Sequence, residues 1–460
     1  MAEAAGMAGR EISSPGPSLA LSSGARLREL KESAMTIEDH TAIGIRRRIA
    51  DGRLTAEAAV RQAFERIEAR EGTLQAWVTL GRDQALAAAR MLDRGPGDGL
   101  LHGVPIGIKD IMATHDLPTR CGSPIYRGWQ PPYDAAVVAL ARRAGAVVIG
   151  KTVTTEFAYF GAGPTVNPHD PARTPGGSSS GSAASVGAGM VPLATGTQTA
   201  GSIVRPAAFC GVAGYKPSFG LVDPTGVKSL AVTLDTIGVL GATVADAALF
   251  VEAVTGLDLV AAAERADRPR RIGLCRSPAW HLASPDMAAA FLSLPARLEA
   301  AGAAVVDREL PESAGEALAA QMRIMAYEAA RALAHEADAH WSLLSPRLQE
   351  LLTQGRALDR ATYERDRALV PALRAALDQA FADVDVLLSP SAAGVAPLRE
   401  AGTGDPLFNR LWTLAGTPAI NVPGLRDPAG LPLGVQILAP IGRDAVAIEA
   451  AAWLERVLEG

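Results

Sequence analysis

Between Pro175 and Ser202 the chain carries the runs PGGSSSGSAA and GTQTAGS, and this stretch constrains the fold more than any other. A flexible spacer would join structureless flanks. Here Ala146–Gly150 (AVVIG) upstream has the character of a buried strand, and Ala183–Leu193 (AASVGAGMVPL) within the stretch reads as a buried helix of small residues. Small residues let backbones approach closely, so that clustered N–H groups can point at one spot. The stretch therefore predicts a packed, backbone-lined site.

Its surroundings alternate between strand and helix. Residues 1–35 are rich in Ala, Gly, Ser and Pro and read as a mobile or variable tail. Two helices follow, the second capped by Thr55 with Val60, Phe64 and Ile67 on one face. His102–Asp110 (HGVPIGIKD) reads as a strand ending in a charged pair. Asp134–Gly145 reads as a helix with Asp at its cap. Strands are expected at Val384–Leu388, Ala419–Val422 and Gly434–Leu438, then a last helix. Residues 256–380 read as mostly Ala- and Leu-rich helix. The alternation predicts an α/β core with helices on both faces of a sheet. With 48% hydrophobic residues in 460, one large core or two ordinary ones can be buried.

Composition excludes several classes of function. The net charge is −5 and there is no long basic run, which argues against nucleic acid or anionic membrane as a partner. No apolar stretch of about 18 residues predicts a membrane span, and the N-terminus lacks a signal-peptide pattern. Cys121, Cys210 and Cys275 are odd in number and scattered, as suits reduced thiols in a cytoplasm. No tight ligand spacing is present, so no metal is expected. Of 44 basic residues only Lys31, Lys109, Lys151, Lys216 and Lys228 are lysines, so each lysine raises the question of why arginine was not used.

Gly177–Gly181 matches G-x-S-x-G, a nucleophile elbow that would make Ser179 the nucleophile and require a downstream acid and histidine. His281, His335 and His340 lie downstream without supporting motifs. A longer pattern competes with it. PGGSSSGSA, then GTQTAGSIVRPAAFCGVAGYKPS, with GIKD upstream and NRLWTLAGTPAINVP and LPLGVQILAP near the end, resembles the amidase signature family. The resemblance runs from about residue 36 to 460, is weaker over 256–380, and is closest to malonamidase-like and other small-amide hydrolases.

The resemblance implies a single large α/β domain with a mixed central sheet, and a Ser-Ser-Lys triad. Lys109 matches the family lysine, Ser178 the bridging serine and Ser202 the nucleophile, with the two serines at the family's usual spacing. It also implies a cis bond before Ser178 and an oxyanion hole in Thr199, Ala200 and Gly201. Tyr159 and Phe160 are expected in the substrate pocket, with core packing as the alternative. Arg205 matches an arginine that faces a substrate carboxylate in malonamidase-like members; the other reading is a structural arginine on a loop carbonyl or acid. Trp412 and Cys210 read as core. The chain departs from the family at Gln198, where Asp is frequent, at Ala200, where Gly is frequent, and in the order Ile-Val-Arg-Pro after Ser202.

A serine hydroxyl needs a base. Lysine can be that base when burial strips its proton, whereas arginine cannot lose its own. The expected activity is hydrolysis of non-peptide C–N bonds in small or aryl amides, with carbamates (urethanes) and esters sharing the chemistry. No cofactor is expected, and a homodimer is one expected assembly. The alternatives are the amidase subunit of a glutamine-dependent tRNA amidotransferase and an inactive scaffold of the same fold.

Overall fold

The computed structural model describes residues 40–269, 271–310 and 313–459. The tail expected over residues 1–35 lies outside them.

Eleven strands form one mixed sheet: β1 (Trp77–Leu80), β2 (Pro105–Lys109), β3 (Val147–Thr152), β4 (Leu193–Gln198), β5 (Ala213–Lys216), β6 (Thr236–Gly241), β7 (Arg271–Cys275), β8 (Ala304–Arg308), β9 (Val386–Pro390), β10 (Ala419–Arg426) and β11 (Pro432–Leu438). Their order is β1-β3-β2-β4-β6-β5-β10-β11-β9-β7-β8. Parallel pairs β2/β3, β2/β4, β7/β8 and β7/β9 combine with antiparallel neighbours such as β4/β6 and β10/β11.

The helices used below are α1 (Ala42–Ala50), α2 (Ala56–Leu74), α3 (Ala136–Arg143), α4 (Ser180–Gly187), α5 (Val204–Cys210), α6 (Val244–Thr255), α7 (Ser313–Ala332), α8 (Ala334–Ala339), α9 (Leu407–Ala415) and α10 (Asp444–Glu459). Both faces of the sheet are covered, because side chains alternate along a strand. Leu193 and Val239 join one apolar cluster with Ile106 and Ile108. Their neighbours Ala194 and Leu240 join a second with Val147 and Ile149.

Most expected elements appear where the pattern put them. Thr55 caps α2, accepting from the Ala58 N–H, and Val60, Phe64 and Ile67 are buried. Three expectations are corrected. Asp134 does not cap α3, which begins after Ala135; its carboxylate instead accepts from the His115 N–H and pairs with Arg142. The helix expected over Ala183–Leu193 is shifted. It starts at Ser180 and ends at Gly187, since the chain must turn to enter β4. Residues 256–380 also hold two strands, β7 and β8, whose short apolar runs were masked by the surrounding alanine-rich helices.

Candidate active site

Strands β2 and β4 run side by side and parallel, with Ile106 opposite Leu193 and Gly107 opposite Ala194. Their C-terminal ends therefore share one edge, the edge at which open α/β sheets gather their sites. Lys109 is the last residue of β2, and Thr197 and Gln198 close β4. The Lys109 N–H is anchored on Thr195 Oγ1 at 2.9 Å.

The Lys109 side chain is fully buried. Its Nζ donates to Ser178 Oγ at 2.7 Å, Thr197 Oγ1 at 2.7 Å and Ser179 Oγ at 3.0 Å. Burial holds this ammonium well below the usual lysine range, while the Asp235 carboxylate pulls the other way. Ser178 precedes α4 and follows a cis Gly177–Ser178 peptide bond. Ser178 and Ser202 line the same small pocket, together with Tyr159, Phe160, Thr199, Ala200 and Arg205. No hydrogen bond joins the two hydroxyls here. In a site without substrate such links are often long and tighten when the ligand binds.

The turn between β4 and α5 is held from three sides. Gln198 Oε1 accepts the N–H groups of Ile203 and Val204 at 2.9 and 3.0 Å, while its Nε2 donates to Thr413 Oγ1 at 3.0 Å. Thr413 on α9 in turn donates to the Ala200 carbonyl at 2.7 Å. Thr199 Oγ1 donates to Asp235 Oδ1 at 2.5 Å, and Gln321 on α7 donates to the Thr199 carbonyl at 3.1 Å. The backbone N–H groups of Ala200, Gly201 and Ser202 meet no acceptor among the described residues. Only glycine fits at 201, because a Cβ would lie 2.5 Å from Asn409 Oδ1. The result is a fixed turn offering backbone donors beside a serine hydroxyl, which is what stabilisation of an oxyanion requires.

Arg205 is buried within this frame. Its two terminal nitrogens donate to the carbonyls of Gly404 and Gly177, the latter at 2.5 Å, and its guanidinium stands 5.7 Å from the Phe160 ring centre. Burial pushes it down to about 9. Ser179, the residue of the elbow pattern, is fully buried, and its hydroxyl contacts Lys109 and the Thr197 backbone but no histidine. His335 and His340 contact each other, and His281 faces the Pro278 carbonyl. Trp412 and Cys210 are core residues.

The amidase family profile matches residues 58–447. The chain belongs to the amidase signature family. It is 35% identical over 467 aligned residues to a glutamyl-tRNA(Gln) amidotransferase subunit from Anaeromyxobacter sp. (strain K), covering 89% of this chain and 94% of that protein. Among solved structures, an amidase superposes with a TM-score of 0.82 at 30% identity, covering 90% of this chain and 99% of the other. The peptide amidase from Stenotrophomonas maltophilia does so with a TM-score of 0.80 at 30% identity, covering 90% and 96%.

Within this amidase signature chain, two site residues escaped the sequence reading. Asp235 accepts from Thr199, Ser229 and the N–H groups of Leu230 and Ala231. Nothing local marks it; it reaches the turn because it immediately precedes β6, which pairs with β4. Gln321 comes from the stretch with the weakest resemblance and stands out only once α7 is placed. Elsewhere, His115, Asp116 and Asp134 bring three ligand-type atoms together, and the Arg142 guanidinium already pairs with both aspartates.

Proposed function

We propose that this chain opens the C–N bond of a carboxamide through an acyl-enzyme on Ser202. The observation that carries the reading is a fully buried lysine whose Nζ contacts Ser178, with Ser178 and Ser202 in one pocket. Neutral Lys109 takes the Ser178 proton as Ser178 takes that of Ser202, and Ser202 Oγ bonds to the carbonyl carbon. Ala200, Gly201 and Ser202, with Thr199 beside them, supply the backbone donors for the oxyanion. One such donor is worth roughly 2.7–4 kcal/mol in the transition state. The relay then returns the proton to the nitrogen, the amine leaves, and water releases the acyl group by the same route. Tyr159 and Phe160 wall the pocket.

The fate of the amine separates two versions of this reading. In one the chain is a stand-alone amidase, as the superposed amidase and peptide amidase support. In the other it is the amidase subunit of a glutamine-dependent amidotransferase, and the curated relatives at 33–35% identity favour this version. It would bring partner subunits and a tRNA into a picture that net charge alone argued against. Urethane and ester cleavage, expected from the shared chemistry, finds no counterpart among these relatives. No described helix is long and apolar enough to cross a membrane; a cytoplasmic location is part of the proposal.

The test is ammonia release by the purified chain from glutamine and from simple amides, with its mass in solution measured by light scattering. Turnover of simple amides by the chain alone, as monomer or homodimer, supports the stand-alone version. Glutamine turnover that appears only with co-purified subunits supports the other. No release from any carboxamide under either condition overturns the amidase reading.

A further inference from the structure

The free space beside Ser202 is about 10 Å³, room for about one water molecule. A substituent on the scissile amide must therefore extend into a neighbouring space. Two clefts on the Phe160 side, of about 650 and 450 Å³, are lined by charged groups that include Arg120, Glu156, Asp405 and Arg410. A third space differs in character. It measures about 270 Å³, and Ile111, Val222, Val227 and Ile237 line it. Ala158 and Leu230 line both this cavity and the pocket of Ser202, so the two spaces adjoin at these side chains.

The charges around the third cavity are already engaged. Lys228 Nζ is 2.5 Å from Glu336 Oε1, and Asp235 accepts from Thr199, Ser229 and two backbone N–H groups. A charged ligand group would have to displace one of these pairs; an apolar group would not. The backbone at this junction is itself unusual. Phe157 and Ala158 are consecutive non-glycine residues at φ 45° and 60°, a strained backbone of the kind that clusters at ligand sites. An apolar cavity of roughly 150 Å³ suffices for benzene, so this one admits an aryl ring with a few further carbons.

We infer that the cavity behind Ala158 and Leu230 is a subsite for a compact apolar group, aryl or branched alkyl, carried by the carboxamide held at Ser202. The inference rests on the stand-alone version of the amidase reading and deepens it: the substrate is an aryl-substituted or branched amide. A substituent as polar as the glutamine backbone is excluded from this subsite.

Val222→Trp fills the cavity from a residue that does not line the Ser202 pocket, and Val227→Trp does so independently should the first fail to fold. The kcat/KM of wild type and variants is compared on propionamide, phenylacetamide (aryl acyl group) and propionanilide (aryl amine). The ratio of an aryl substrate to propionamide falls about tenfold or more in the variants, and the substrate that suffers identifies the half of the amide that enters. Calorimetric titration of phenylacetamide and propionanilide into Ser202→Ala, with and without Val222→Trp, reads binding without turnover. Weaker binding of either in the filled cavity supports the subsite even if Ser202 proves not to be the nucleophile. Equal changes on all three substrates, with binding of both aryl ligands unaltered, overturn it.

Discussion

Three of the five lysines, Lys109, Lys151 and Lys216, have no solvent exposure, and the surroundings of the first two set them apart. Lys151 is held between the Asp110 carboxylate, the Met112 carbonyl and Thr119 Oγ1. Lys109 has only neutral partners in contact, so burial lowers its hold on a proton with only the more distant Asp235 carboxylate opposing it. Lys109→Arg should then be nearly as damaging as Lys109→Ala, with kcat lower by about 10²–10⁴ in either variant. The sign of the pH dependence follows: a lysine depressed by burial is protonated and inactive at low pH, so kcat/KM should rise with pH through its lowered value. Retention of most activity by Lys109→Arg would make Lys109 a structural cation. Arg205 is bound at both ends of its fork by the Gly177 and Gly404 carbonyls. Arg205→Ala should therefore lower stability, by roughly 1–3 kcal/mol for each carbonyl left without a donor. It should slow carboxylate-bearing and neutral amides alike. A KM increase confined to the carboxylate-bearing amide would instead show Arg205 to be a substrate ligand.

Among the elements carrying the proposed triad, β2 was legible as a short apolar run ending at Lys109 and Asp110, whereas α4 was expected three residues late and β4, its apolar content hidden in a Gly- and Thr-rich run, was not read as a strand. The rest of what was not legible depends on pairings distant in sequence. Asp235 and Gln321 reach the turn through β6 and α7, and no local pattern states that pairing. The Gln198 departure became interpretable only in place. Its Oε1 still caps the start of α5, and its Nε2 adds a link through Thr413 to the Ala200 carbonyl. A similar distant contact joins α6 to α10, where Glu455 accepts the Val244 N–H and lies near Asp246, which accepts the Ile43 N–H of α1. Burial pushes these carboxyls up to about 8 for Glu455 and about 7 for Asp246. The folded state thus holds a proton at Glu455 that the unfolded chain has lost between its ordinary value and about 8. Stability from this group is lost as pH rises through that window. Glu455→Gln has no proton to lose, so its Tm relative to wild type should climb from pH 5 to pH 8. A difference that stays flat across that range would show the Glu455 proton to be uncoupled from folding.

At the scale of the molecule, one sheet edge brings together residues from positions 109, 178 and 202, and two helices from the C-terminal half of the chain, α7 and α9, brace the turn that carries Ser202. Such a site is assembled only when the whole domain folds, so Ser202→Ala should leave the fold and Tm nearly intact while removing turnover. The most direct measurement of the central claim is covalent labelling by a fluorophosphonate probe, followed by peptide mapping. A single adduct is expected on the peptide bearing Ser202, absent in Ser202→Ala, present in Ser179→Ala and strongly slowed in Lys109→Arg. An adduct on Ser179 that persists in Ser202→Ala, or no adduct at all on the folded wild-type chain, would contradict it.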